Sequence, residues 1–232
     1  MPKLKKITGY FSKADIIIWS SSVSLIVLSF FLFDRVNYMT LSASLLGVTS
    51  LIFNAKGNPA GQLLMVVFSL FYGIISFSFS YYGEMITYLG MTMPMAVFAL
   101  ISWLKNPYNG KRSEVRVNSI SKKEVVFMCL LTLVVTLVFY FILEHFNTAN
   151  LIPSTLSVTT SFIAVYLTFR RSPYFAVAYA ANDIVLIIMW ILASMKNMQY
   201  ISVVVCFIAF LVNDIYGFIS WRRMEKRQSQ NL

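Results

Sequence analysis

Two polar pairs, Asn182-Asp183 and Asn213-Asp214, are the residues in this chain whose type and placement best suit chemistry. Both pairs lie inside long apolar runs. An ionisable side chain at bilayer depth costs roughly 2.5–3.5 kcal/mol on insertion scales. Such groups line a path for a polar solute, or they hydrogen-bond to neighbouring helices as polar glue. The amides fit the glue reading better than the carboxylates, because an amide carries no charge. Adjacent residues on a helix point about 100° apart. One member of each pair is therefore expected to face the path and the other to pack.

Depth favours the path. Roughly 16 Å of helix separates Asn182 from Arg171, and about 12 Å separates Asp214 from Arg222, at ~1.5 Å per residue. Both positions fall well inside a hydrocarbon core of ~30 Å. Tyr72 and Tyr179 are also deep, and their rings suit stacking on a planar heterocycle. A cationic ring would gain about 0.5–2 kcal/mol over an aromatic face. Trp190 lies near one membrane boundary, and Trp103 and Trp221 near the other, where tryptophan is common for interfacial reasons alone. Gln62, early in an apolar run, suits lining and glue equally. With Tyr216 from the closing segment, the candidate solute-binding set is Asn182, Asp183, Asn213, Asp214, Tyr72, Tyr179, Gln62, Trp190, Tyr216 and Trp221. The lone His145 reads as a surface residue at a helix end. Cys129 and Cys206 lack metal-ligand spacing, and no phosphate loop or nucleophile motif is visible. No catalytic set, metal or cofactor is expected.

The elements that must position these residues are membrane helices. The chain has 232 residues, 58% hydrophobic and 12% charged. A soluble domain carries about 25% charged residues, so the class is all-α and polytopic membrane. Eight apolar spans run Asp15–Phe33, Thr40–Asn54, Gly61–Ser80, Ile86–Leu104, Val125–Leu143, Ile152–Thr168, Tyr174–Met195 and Tyr200–Trp221. The second and sixth are the shortest. With eight spans both termini share one side. Of the 19 basic residues, only Arg35 and Lys196 fall on the opposite side. Removing one span would scramble that split. By the positive-inside rule the termini are expected in the cytoplasm of a cell-membrane protein. The net charge of +10 is thus a topology signal and an attraction to anionic lipid, not to nucleic acid.

The chain also repeats itself. Ser44-Leu-Leu-Gly-Val-Thr-Ser50 parallels Ser154-Thr-Leu-Ser-Val-Thr-Thr160, Pro59 parallels Pro173, and Ile101-Ser102-Trp103 parallels Ile219-Ser220-Trp221. Spans two to four match spans six to eight, with the fifth as a link and the first outside the repeat. Three spans per copy with one linking span between them make both copies start and end on the same sides, so they are parallel, related by an axis along the membrane normal. The expected divisions are 1–38, an extra helix; 39–105, the first copy; 106–148, a loop and linker helix; 149–224, the second copy; and 225–232, a tail. The loop from Lys105 to Glu124 reads as a solvated connector, and the tail after Trp221 as frayed. In the first copy, Phe68 and Ser69 stand where the second has Asn182 and Asp183. Met95 and Ala96 stand where it has Asn213 and Asp214. The site is lopsided, which suits a solute with two different ends.

The closing segment Tyr216-Gly217-Phe218-Ile219-Ser220-Trp221-Arg222, the Tyr82-Gly83-Glu84 turn, and Pro94 followed by Trp103 resemble the PnuC family of vitamin transporters over about residues 40–226. That resemblance implies a SWEET-like 3+1+3 core with one extra N-terminal helix, often in a homotrimer. It implies facilitated diffusion of a non-phosphorylated vitamin precursor, most often nicotinamide riboside, trapped by a cytoplasmic kinase. Thiamine, riboflavin and deoxynucleosides are carried by relatives. Two other classes compete with this reading. A proton-coupled carrier would use Asp183 or Asp214. A membrane-embedded enzyme or scaffold would show paired catalytic groups or no solute flux.

Overall fold

The computed structural model describes residues 10–78, 82–148 and 150–230. The expected third-span end at Ser80 and the basic Lys3, Lys5 and Lys6 lie outside the described residues. Eight helices are long and apolar enough to cross a membrane. They are α1 (Lys13–Asp34), α2 (Tyr38–Ala55), α3 (Ala60–Phe77), α4 (Tyr82–Lys105), α5 (Lys122–His145), α6 (Leu151–Phe169), α7 (Phe175–Ser194) and α8 (Met198–Gln230). These match the eight expected spans to within a few residues, except that α8 runs well past Trp221.

Local chemistry explains several boundaries. Ser12 caps α1 in a capping box with Asp15, and Ser121 accepts from Glu124 N–H at the start of α5. In α4 a π-helical turn, Tyr88–Thr92, precedes Pro94. Proline has no N–H and its ring crowds the carbonyl four residues back, so a widened turn relieves the strain. That turn brings Tyr88 and Thr92 to the protein's interior.

Six helices close a ring. α2 packs on α3, α3 on α4, α4 on α6, α6 on α7, α7 on α8, and α8 back on α2. The α2–α8 approach is tight: a Cβ on Gly47 would sit 2.4 Å from the Phe210 ring. Outside the ring, α1 lies against α2 and α8, while α5 lies against α6 and touches α4. These placements are equivalent under the repeat. Both helices begin with Ser-x-x-acid, and the acids make matching ion pairs, Asp15 with Lys56 and Glu124 with Arg170. The fold is the expected one, a three-plus-one-plus-three core with one further N-terminal helix, and that helix resembles α5 in its start and its ion pair.

Two expectations are corrected. The connector after Lys105 is a docked hairpin, β1 (Pro107–Tyr108) and β2 (Lys111–Val115). Asn109 and Gly110 both take positive φ at its tip, as a type I′ turn requires. Val115 N–H donates to Gly57 O at 2.9 Å, and Asn118 N–H to Arg171 O at 3.0 Å. The strip thus ties together the equivalent α2–α3 and α6–α7 turns. The tail is helical rather than frayed, because Met224 and Gln228 are buried. Gln228 Nε2 donates to Glu114 Oε1 (2.9 Å) and Val115 O (3.1 Å), and its Oε1 accepts from Val117 N–H (2.8 Å).

Gln228→Ala strips those bonds and leaves buried backbone groups unmatched. It is expected to lower stability by about 1–3 kcal/mol. Hydrogen exchange should rise at Val117 and along the last turns of α8. Unchanged exchange there would show that the tail docks without this side chain.

Candidate functional site

The seam between the two halves is sealed at its basic end. Trp103 Nε1 donates to Thr168 O at 2.9 Å, and Trp221 Nε1 donates to Asn54 O at 2.7 Å. Ser102 Oγ donates to Phe169 O (2.9 Å) and Ser220 Oγ to Ala55 O (2.7 Å). The acceptors are carbonyls of the last turns of α6 and α2, where the helical ladder has run out; Thr168 O and Asn54 O also accept the N–H of Arg171 and Gly57. Each half thus closes the other's first ring helix with the same Ser-Trp pair. The two indoles meet at 5.3 Å between ring centroids, and both tryptophans are completely buried.

The opposite end is open. A vestibule of ≈ 210 Å³ lies between the α4 start and the α5–α6 loop, with Glu84, Asn147, Ser154 and Trp190 on its wall. Below it a cavity narrows to ≈ 30 Å³, lined by Glu84, Tyr88, Ser157, Ser161 and Trp190 among others. A side pocket adds Asp34, Asn37, Tyr72 and Tyr200. Tyr72 and Tyr88 stack at 4.5 Å, and Trp190 lies 5.3 Å from Tyr200. Aromatic faces beside a carboxylate form a surface suited to a flat cationic ring.

Between cavity and seal runs a buried polar column. Tyr88 lies within electrostatic reach of Glu84, Asp183 and Tyr179. Asp183 and Asp214 lie within electrostatic reach of each other, and Asp183 Oδ2 is buried with no hydrogen-bond partner among the described residues. Tyr179 lies within electrostatic reach of Asp214 and Asp183 and close to Thr168, the residue whose carbonyl Trp103 caps. The column connects the open end to the sealed one along the seam.

The expected set divides accordingly. Tyr72 and Trp190 line the cavities. Asp183, Asp214 and Tyr179 occupy the column below. Asn182 stands behind the wall: its Oδ1 accepts from Ser157 (3.2 Å), Thr160 (2.9 Å) and Ser161 (3.1 Å). It therefore orients two hydroxyls that reach the cavity. Asn213 turns the other way, and its Nδ2 donates to Ser22 of α1 at 2.8 Å. Tyr216 also faces α1, donating its hydroxyl to Asp15. Gln62 Nε2 donates to Asn54 Oδ1 at 2.8 Å, beside the seal, and Trp221 is part of the seal itself. These four hold helices together and do not line the cavities.

Glu84, Tyr88 and the α6 hydroxyls were missed as lining residues. Glu84 looked like a loop acid from its place beside Gly83. The Ser154–Thr160 run showed its polar spacing openly but served only as a repeat landmark.

The two asparagines give a direct contrast. Asn182→Ala frees three hydroxyls from their acceptor and is expected to weaken solute binding by a factor of about 5–10, the equivalent of one hydrogen bond. Asn213→Ala is expected to leave binding intact and to loosen α1, at a cost of about 1–3 kcal/mol. Ligand titrations and thermal melts of the two purified variants read both effects, and equal binding losses would contradict the placement.

Comparison with known proteins agrees with the fold. A curated relative from Neisseria mucosa, named nicotinamide riboside transporter PnuC, is 24% identical over 203 residues, covering 86% of this chain and 77% of the relative. A protein of the same name from Haemophilus influenzae is 20% identical over 192 residues, 82% of each chain. A crystal structure described as the vitamin B3 transporter PnuC superposes with a TM-score of 0.81, at 21% identity and over 94% of both chains. The family model described as nicotinamide mononucleotide transporter matches residues 37–223. That match takes in every helix of the ring together with the cavity, the column and the seal, and the chain belongs to the nicotinamide mononucleotide transporter family.

Proposed function

We propose that this transporter imports a nucleoside-like vitamin precursor, nicotinamide riboside first, by facilitated diffusion with alternating access. The carrying observation is the seam, which is open at one end, closed at the other and carries buried polar groups between them. Nicotinamide riboside joins a flat cationic ring to a sugar. The ring suits the Tyr72–Tyr88 pair, Trp190 and Glu84. The sugar hydroxyls suit Ser157 and Ser161, held by Asn182, on the other wall. Solute pockets usually span roughly 300–1,000 Å³, so a deep cavity of ≈ 30 Å³ must widen for the solute to descend. Descent brings it to Asp183, Asp214 and Tyr179 before the Trp103–Trp221 seal parts. The basic end then faces the cytoplasm, with both termini there, and a cytoplasmic kinase traps the solute.

A second reading, proton-coupled carriage, is favoured by one observation. Two carboxyl groups in contact in a dry core are held together by a proton and driven apart without it. Asp183 and Asp214 are both buried and lie within electrostatic reach of each other, which supports that reading. A homotrimer is a further part of the proposal. It rests on the family resemblance and on the outward apolar face of α5, where Val126, Leu130, Leu133 and Leu137 are exposed. Mass measurement of the solubilised protein tests it, and a monomer would refute it.

Uptake into proteoliposomes tests both carriage readings. Labelled nicotinamide riboside should equilibrate, and thiamine, riboflavin or a deoxynucleoside should compete more weakly. Trp190→Ala should reduce apparent affinity by a factor of about 2–30, the range of one cation–π contact. If none of these solutes moves, the proposal fails. An imposed pH gradient separates the mechanisms: accumulation abolished by Asp214→Asn supports proton coupling, and equilibration alone supports facilitated diffusion.

A further inference from the structure

The basic end carries another cavity, of ≈ 450 Å³, outside the seam and away from the solute path. Its walls come from the hairpin strip, the α6–α7 turn and the last turns of α8, and include Tyr108, Arg116, Ser119, Arg171 and Glu225. The charges on this wall are unbalanced. Nearby arginines are matched: Arg170 with Glu124, Arg222 with Glu225, and Arg227 with Glu114. Arg116 and Arg171 form no ion pair among the described residues. Glu225, the wall's carboxylate, is committed to Arg222.

Arg171 is unusual in two ways. Its Nη1 donates to Ser102 Oγ at 3.1 Å, yet its Nε is buried with no partner among the described residues. Its backbone sits at φ +57, and its counterpart in the other half is Gly57 at φ +63. Glycine takes that conformation freely, and a long side chain takes it at a cost. Burial, followed by the nearby Arg170 and Arg116 charges, pushes the Arg171 guanidinium below its ordinary value. An arginine thus occupies a glycine position, beside like charges and with an idle donor. Strain of this kind accumulates where a side chain has a task.

We propose that this cavity binds a phosphate monoester, with Arg116 and Arg171 taking its oxygens. Arginine forks match phosphate geometry, and charge-assisted bonds of this type are the strong ones. The volume falls within the usual range for a small-molecule site, roughly 300–1,000 Å³. A soluble nucleotide and a lipid headgroup both present this chemistry. Arg171, which would hold the bound group, sits one hydrogen bond from the seal residue Ser102.

The test uses the full chain and two variants, Arg116→Gln and Arg171→Gly. The second restores the residue type found in the other half, so its backbone is relieved and folding is retained. Adenosine 5′-monophosphate is titrated calorimetrically into phosphate-free detergent micelles, with adenosine as the control. In parallel, thermal melts compare neutral-lipid nanodiscs with nanodiscs containing phosphatidate. Nucleotide binding that adenosine does not share, weakened at least tenfold in both variants, supports the site and a soluble ligand. Stabilisation by phosphatidate that both variants lose supports the site and a headgroup ligand. Absence of both signals, or a signal that survives in either variant, overturns the proposal. Neither measurement depends on which solute the seam carries.

Discussion

The structure depends on how the last carbonyls of α2 and α6 are satisfied. A helix ends with carbonyls that have no intrahelical partner, and away from water each such group costs about 1–3 kcal/mol if left unmatched. Here the solution is reciprocal. Ser102-Trp103 serves α6 and Ser220-Trp221 serves α2. Asn54 O and Thr168 O also accept a turn N–H of their own half, but the last carbonyls, Ala55 O and Phe169 O, take their bonds from the other half. The ring therefore exists only as a pair, with its closure point on the axis where the two indoles meet.

On this symmetric frame the chemistry is deliberately unequal. Ser69 turns its hydroxyl back onto Met65 O and is fully buried. Its counterpart Asp183 instead lies within electrostatic reach of Asp214. Phe68 packs against Phe210 and Tyr72, while its counterpart Asn182 gathers three hydroxyls. At these positions one half supplies aromatic packing and the other supplies polar atoms. A solute held between them meets an apolar wall and a hydrogen-bonding wall at once, and orientation follows from that difference.

Much of this was legible in the residues, and the limits have physical causes. The spans follow from apolar run length, and the Ser-Trp pairs are visible as repeat landmarks, though their role as a seal is not. Rotation about a helix axis was not legible. Asn213 and Asp214 are adjacent, but one faces α1 and the other faces α7, and only packing decides which. Asn109-Gly110 is a hairpin signal that the charge of its neighbours obscured. The Ser-x-x-acid starts of α1 and α5 were also in plain view. They became a repeat landmark only once Asp15–Lys56 and Glu124–Arg170 appeared as equivalent ion pairs.

The strength of the seal sets what the solute must do. It consists of two indole bonds, two hydroxyl bonds and one ring contact. Net hydrogen bonds contribute about 0.5–1.5 kcal/mol each, so the seal amounts to a few kcal/mol. Moving a two-state equilibrium from 1:99 to 99:1 takes about 5.5 kcal/mol of differential binding. The two quantities are comparable, so a solute bonding to the carboxyl and phenol groups of the column can offset the bonds broken at the tryptophans. A tighter seal would hold the chain shut, and a looser one would leave the seam open at both ends. The paired Ser-Trp arrangement lies between these limits, and the repeat supplies it twice.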